Sequence, residues 1–128
     1  MSVVFLSLDE VIGIHRDMIE RYGGSAGIRD MGLLQPAVAM PQASFGGEFL
    51  HTDLFEMAAA YLFHIVQNHP FVDGNRRVGT AAAMVFLELN EVEVKVSNEL
   101  LVETVLDLAQ GKIGKTAIVE FLRTHSRH

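Results

Sequence analysis

The stretch NHPFVDGNRRVG, residues 68–79, gathers a histidine, a carboxylate, two asparagines, two glycines and two adjacent arginines between two strongly apolar segments. Turn formation accounts for Pro70, Asp73, Gly74 and Asn75, each of which has a backbone or side-chain reason to sit in a turn. It does not account for Arg76 and Arg77. These fall at the expected start of a helix, where the macrodipole is already positive and a cation is unfavourable. A bound anion resolves the conflict. Free backbone amides at a helix N-terminus, close approach permitted by Gly74 and two guanidinium groups together suit a phosphate-bearing ligand. Asp73 adds a hard oxygen able to hold Mg2+ against such phosphates. His69 is the one side chain of the stretch suited to exchange a proton near neutral pH. Proton acceptor, metal ligand and phosphate cradle thus share one loop.

The elements that must hold this loop are helical by pattern. Leu54, Met57, Ala58, Tyr61, Leu62 and Ile65 follow the helical template behind an Asp53–Glu56 capping box. Phe55, Phe63 and Val66 spread apolarity onto the other faces, so the helix entering the loop should be enclosed by others. The helix leaving it is expected from about Arg76 to Leu89, with Val78, Ala82, Val85 and Phe86 in its stripe and Asn90 at its end. Ser7 with Glu10 caps a first helix over 8–22, which Gly23 and Gly24 stop. A short helix over Met31–Met40 should restart at Pro36 and end at Pro41, and QASFGGEFLHTD is compatible with a small hairpin or flap around Gly46–Leu50. EVEVKV reads as a short extended piece. Ser97 then caps a helix running to Gly111, and a last helix carries Ile118, Phe121 and Leu122. The expected fold class is all-α, a compact bundle of about six helices with the functional loop between the two central ones.

A chain of 128 residues, 49% hydrophobic and 20% charged, fits one globular domain over 1–128. The net charge of -6 and pI near 5.4 give no general attraction to phosphate backbones or anionic lipid, which argues against direct nucleic-acid and membrane partners. The absence of cysteine excludes disulfides, thiolate zinc sites and a cysteine nucleophile, and suits a reducing cytosol. The apolar runs Val3–Leu6 and Met57–Phe63 are too short for a secretory signal or a membrane span, so a cytoplasmic protein is expected.

HPFVDGNRR resembles the active-site motif of the Fic/Doc superfamily: His-Pro-Phe, two residues ending in an acid, Gly or Ala, Asn, a variable residue and Arg. YGGSAGIRDMGLLQPAVAMPQASFGG, followed by the long apolar helix into NHPF, is similar to the death-on-curing toxin branch, so the resemblance covers nearly the whole chain. It implies a toxin of a two-gene toxin–antitoxin module, acting as a protein kinase. ATP or another NTP with Mg2+ would serve as co-substrate, and the target would be a hydroxyl of a translation factor, a threonine of elongation factor Tu in the branch prototype. A cognate Phd-like antitoxin would be the second partner, folding a disordered segment as an amphipathic helix into an apolar groove.

The resemblance also divides the chemistry. Adenylyl-transferring members have Gly after the Asn, where this chain has Arg76 and the toxin branch typically has Lys; their second arginine corresponds here to Thr80. A basic side chain at that position crowds the hole for the α and β phosphates, which favours phosphoryl transfer. Arg is larger than Lys and binds oxygens in pairs, and Gly74 is the residue adenylylating members use, so adenylyl transfer is the alternative. Residue by residue, His69 is then the catalytic base and Asp73 the Mg2+ ligand. Gly74 and Asn75 contact phosphates through backbone and amide, and Arg76 and Arg77 neutralise the transferred charge. Phe71 pins the loop, and Asn68 either orients it or simply ends a helix.

Competing readings are an idle nucleotide- or antitoxin-binding module and an RNA-binding toxin, the latter in conflict with the acidic pI. His15 lies on an apolar stripe and reads as a satisfied core residue. His64 and His69 are wrongly spaced to share a helix face, so no zinc site is expected. His51, His125 and His128 read as solvated, and Met18, Met31, Met40, Met57 and Met84 as core filler. Arg29 and Asp30 have two readings: facing the site, or starting a helix with Asp30 as cap.

Overall fold

The computed structural model of the chain describes residues 2–127; His128 lies outside them. The chain folds as α1 (Leu8–Tyr22), α2 (Met31–Ala39), α3 (Leu54–Asn68), α4 (Asn75–Leu89), α5 (Asn98–Ala109) and α6 (Lys115–Thr124). Two minimal antiparallel ribbons accompany the helices. β1 (Ser44–Phe45) pairs with β2 (Glu48–Phe49) around Gly46 and Gly47, and β3 (Glu93–Val94) pairs with β4 (Ser126–Arg127). The all-α expectation of six helices therefore holds, with the flap region a true hairpin and EVEVKV half of a ribbon.

Helix α3 is the axis of the bundle, packed on α2, α4 and α6. Its side chains are buried on every face, including Phe55, Met57, Tyr61, Leu62 and Ile65. Ala58, Ala59 and Ala60 leave room for close neighbours. At Gly79 of α4 a β-carbon would lie 3.3 Å from Leu62 Cδ1 and 3.4 Å from the Leu62 carbonyl, so this small residue sets how near α4 comes to α3. Tyr61, also fully buried, satisfies its hydroxyl by accepting from the Leu6 N–H at 2.8 Å. Burial raises its pKa to about 12, so it stays a neutral tether for the N-terminal segment.

Caps fix the helix ends. The Ser7–Glu10 box is complete, and Ser97 caps α5. Asp53 accepts from Glu56 N–H, but the Glu56 carboxylate reaches back to the Thr52 N–H and hydroxyl rather than to Asp53, so that box is displaced by one residue. Three expectations are corrected. Pro36 does not restart a helix; it sits inside α2, where the N–H it lacks would have met the carbonyl of Gly32, an exposed residue. Pro41 does not stop that helix, which has already passed into a 3-10 turn over Met40–Gln42. Among the described methionines only Met57 is deeply buried; Met84 packs part-buried against the core, and Met31 is exposed.

Candidate active site

The functional loop joins the C-terminus of α3 to the N-terminus of α4, and almost every backbone group in it is held. His69 ends α3 in the left-handed region, at φ 49 and ψ 53, while its N–H still donates to Ile65. An L-residue there costs about 1–2 kcal/mol, so the surroundings must impose the conformation. They do so from the 27–30 segment. Arg29 donates from Nε to the His69 carbonyl at 2.6 Å and from Nη2 to the Asn68 carbonyl at 3.0 Å. The N–H groups of Arg29 and Asp30 both donate to the Pro70 carbonyl, Ile28 bridges Phe71, and Val72 N–H donates to Gly27. Asn68 adds a bond from Nδ2 to the Leu33 carbonyl, so it both ends α3 and orients the loop.

Phe71 is fully buried and stacks on His15, with ring centroids 3.9 Å apart. His15 is itself only 4% exposed. Its Nε2 lies 2.8 Å from the Asp73 carbonyl; that oxygen can only accept, so the imidazole carries its proton on Nε2. The satisfied-core reading of His15 is right, yet the bond reaches the functional loop. Asn75, also 4% exposed, receives the Phe71 N–H on Oδ1 and donates from Nδ2 to the Phe71 carbonyl. The side-chain amide expected to meet phosphate is thus engaged in closing the loop. What Asn75 offers a ligand is its backbone N–H.

That N–H opens a free anchorage. Gly74 caps α4 in the left-handed conformation, φ 77, with no side-chain cap. Gly74 donates its own N–H to Asp73 Oδ1, whereas Asn75, Arg76 and Arg77 occupy the first helical turn, whose N–H groups have no carbonyl within the helix. Helix α4 therefore begins at Asn75, one residue earlier than expected. Both arginines are exposed. Arg77 lies over the Tyr22 ring at 5.0 Å, and Thr80 bonds back to the Arg76 carbonyl.

Asp73 is exposed, and its Oδ2 accepts from Ser25 N–H at 3.1 Å. The Ser25 and Gly74 N–H groups, then Arg77 and His15, hold its carboxyl below the usual range. Gly24, at φ 113, lies so close that a β-carbon there would be 2.7 Å from Asp73 Oδ2. Each oxygen keeps a lone pair after its one hydrogen bond. Among the described residues no three imidazoles or carboxylates are grouped to hold a metal ion. Asp73 suits a cation shared with phosphate oxygens, the usual habit of Mg2+.

The sequence model described as Fic/DOC family matches residues 5–87, the part of the chain from the N-terminal segment through the loop to the end of α4. The chain belongs to the Fic/DOC family. It is similar to a protein named Protein kinase doc from Escherichia phage P1, with 37% identity over 118 residues and 92% of each chain covered. It is also similar to Toxin Doc of Mycolicibacterium smegmatis, 45% identical over 73 residues, 57% of this chain and 56% of that one. The toxin branch of the Fic/DOC family is thus where the chain falls. Within the family loop, the candidates His69, Asp73, Gly74, Arg76 and Arg77 all lie at the α3–α4 junction.

Sequence reasoning missed the role of Gly24 and Ser25, which seat Asp73, because a glycine pair reads first as a helix stop. Arg29 and Asp30 resolve into both readings at once, Asp30 capping α2 and Arg29 gripping the loop. The solvated reading fails for His51, which is partly buried beside Lys115 and His64, and for His125, whose Nδ1 bonds the Phe121 carbonyl.

Proposed function

We propose that this protein is a Doc-type toxin that acts as an ATP-dependent protein phosphotransferase. The first turn of α4 carries the reading: outward backbone amides after a left-handed Gly74, flanked by Arg76 and Arg77 and preceded by His69 on one loop. Donors fixed in this way stabilise charge as it develops on a transferred phosphoryl group. Asp73 would hold Mg2+, which supplies positive charge against the triphosphate. His69 accepts the proton of the target hydroxyl as its oxygen bonds to the γ phosphorus; the bond to the bridging oxygen breaks and ADP leaves. Arg76 stands where a glycine would leave space for the α and β phosphates, and the phage P1 relative is named a kinase; both favour γ transfer over adenylylation.

The target we propose is a threonine of elongation factor Tu, its modification halting translation in the cytoplasm. An antitoxin helix would occupy the apolar groove between α1 and α4, floored by Leu6, Ile14, Met18, Ala81 and Val85. ATP labelled at the γ or the α phosphate, incubated with the protein and elongation factor Tu, tests the enzymatic reading. Label from the γ position on threonine is expected. Label from the α position alone would replace kinase by adenylyltransferase, and no transfer of either would leave an idle binding module.

A further inference from the structure

We infer that Arg29 is a positioning residue for His69, a role that rests on the phosphotransferase reading only for its kinetic consequence. The left-handed backbone at His69 has no glycine to relax it, and the loop strands on either side of Phe71 are joined to residues 27–30 by main-chain bonds. The Arg29 side chain completes this clamp at the point nearest the base. Its planar fork takes the carbonyls of Asn68 and His69 together, at 3.0 and 2.6 Å. These are carbonyls of the last turn of α3, groups without an intrahelical partner at the negative end of the helix, where a cation is favoured. One guanidinium therefore fixes two consecutive peptide planes and, through them, the direction in which Cα of residue 69 presents its imidazole. A lysine ammonium keeps the charge but has no fork to span both oxygens in fixed geometry. Arg29 touches no reacting atom in this role; it acts through His69.

Displacement of a reacting group by about 1 Å costs up to about 100-fold in rate. Arg29→Ala should accordingly lower kcat for γ-phosphoryl transfer 10- to 100-fold while the KM for ATP stays within about twofold, because the α4 anion anchorage is untouched. Arg29→Lys should recover only part of the loss. Millimolar guanidinium should restore Arg29→Ala severalfold and leave His69→Ala unchanged. The His69 Cε1–H resonance, assigned by its loss in His69→Ala, should shift or split in Arg29→Ala, and this readout needs no substrate. Wild-type kcat and an unmoved resonance in Arg29→Ala would overturn the inference, as would a rise in KM matching the fall in kcat. If Arg29→Ala does not fold, Arg29→Gln provides the same comparison. If the wild-type protein transfers no phosphate, the functional reading fails and the resonance alone decides whether Arg29 orients His69.

Discussion

At the scale of single residues, the loop separates groups proposed to act on a ligand from groups that hold the loop. His69 is exposed, and its backbone rather than its ring is fixed, so His69→Ala should leave the melting temperature and nucleotide affinity nearly unchanged while transfer falls about 10²–10⁴-fold. Calorimetric titration with ATP and Mg2+, beside the labelled-phosphate assay, checks both halves. Asp73 differs because its carboxylate sits against Gly24. Gly24→Ala would place a methyl 2.7 Å from Asp73 Oδ2 on a backbone of φ 113 that disfavours any side chain, so either the carboxylate or the 23–25 turn must move. The expected outcome is weaker Mg2+-dependent ATP binding together with a lower melting temperature. Unchanged binding in a folded Gly24→Ala protein would show that this seating of Asp73 is immaterial. The side chain of Asn75 belongs wholly to the holding group. Its loss strands the buried N–H and carbonyl of Phe71, so Asn75→Ala should destabilise by about 2–4 kcal/mol in chemical denaturation, far more than either arginine.

Among the elements, α1, α3 and α5 were bounded most sharply from sequence because their burial patterns and side-chain caps agree. Helix α3 shows apolar residues on every face and an Asp53 cap, and it is the enclosed axis. The misread points were those decided by neighbours distant in sequence. Nothing local in NRRVG shows that the Asn75 amide faces Phe71, and nothing in MGLLQPAVA shows that Gly32, one turn before Pro36, is an exposed residue. The same limit hid a cluster joining the hairpin region to α3 and α6. Lys115 at the start of α6 lies 3.1 Å from His64 Nε2 and 3.5 Å from His51 Nε2; an ammonium only donates, so both rings must accept as neutral imidazoles. Burial first, then Lys115 and His51, lowers the His64 pKa from 6.5 to about 4. Glu56 is the acid that opposes this effect, acting on His51 and Lys115. A base with a depressed native pKa contributes stability above its unfolded value and loses it as pH falls, because the unfolded chain takes the proton first. The melting temperature should therefore drop as pH is lowered from 6.5 toward 4, and His64→Gln should flatten that part of the profile. An identical profile in His64→Gln would remove His64 from the account.

For the molecule as a whole, the proposed function would make α4 the link between chemistry and partner binding. Its first turn carries the proposed anion anchorage, while its face from Ala81 to Glu88 borders two apolar hollows. One lies against α1 with Glu10 and Asp17 on its rim, and the other lies toward β3 and α5 with Glu88, Glu91 and Glu93 beside Met84 and Leu101. Val85 is about 13 Å and Glu88 about 17 Å along the helix from Arg76 and Arg77, at about 1.5 Å per residue, so a side chain bound at those positions does not touch the nucleotide directly. With acidic rims on a chain of net charge -6, the segment that fits is an amphipathic helix whose apolar stripe is bordered by Lys and Arg. Val85→Glu, which puts a charge on the groove floor, should weaken binding of the proposed antitoxin at least 10-fold with ATP affinity unchanged. Asp17→Lys and Glu88→Lys should act differently, slowing association severalfold at low salt and much less at high salt, since rim charges steer encounter and are screened. Surface-plasmon kinetics at two ionic strengths separates the two effects. Association that speeds up in the lysine variants would mean that the bound segment is acidic, and full-strength binding by Val85→Glu would place the partner elsewhere on the surface.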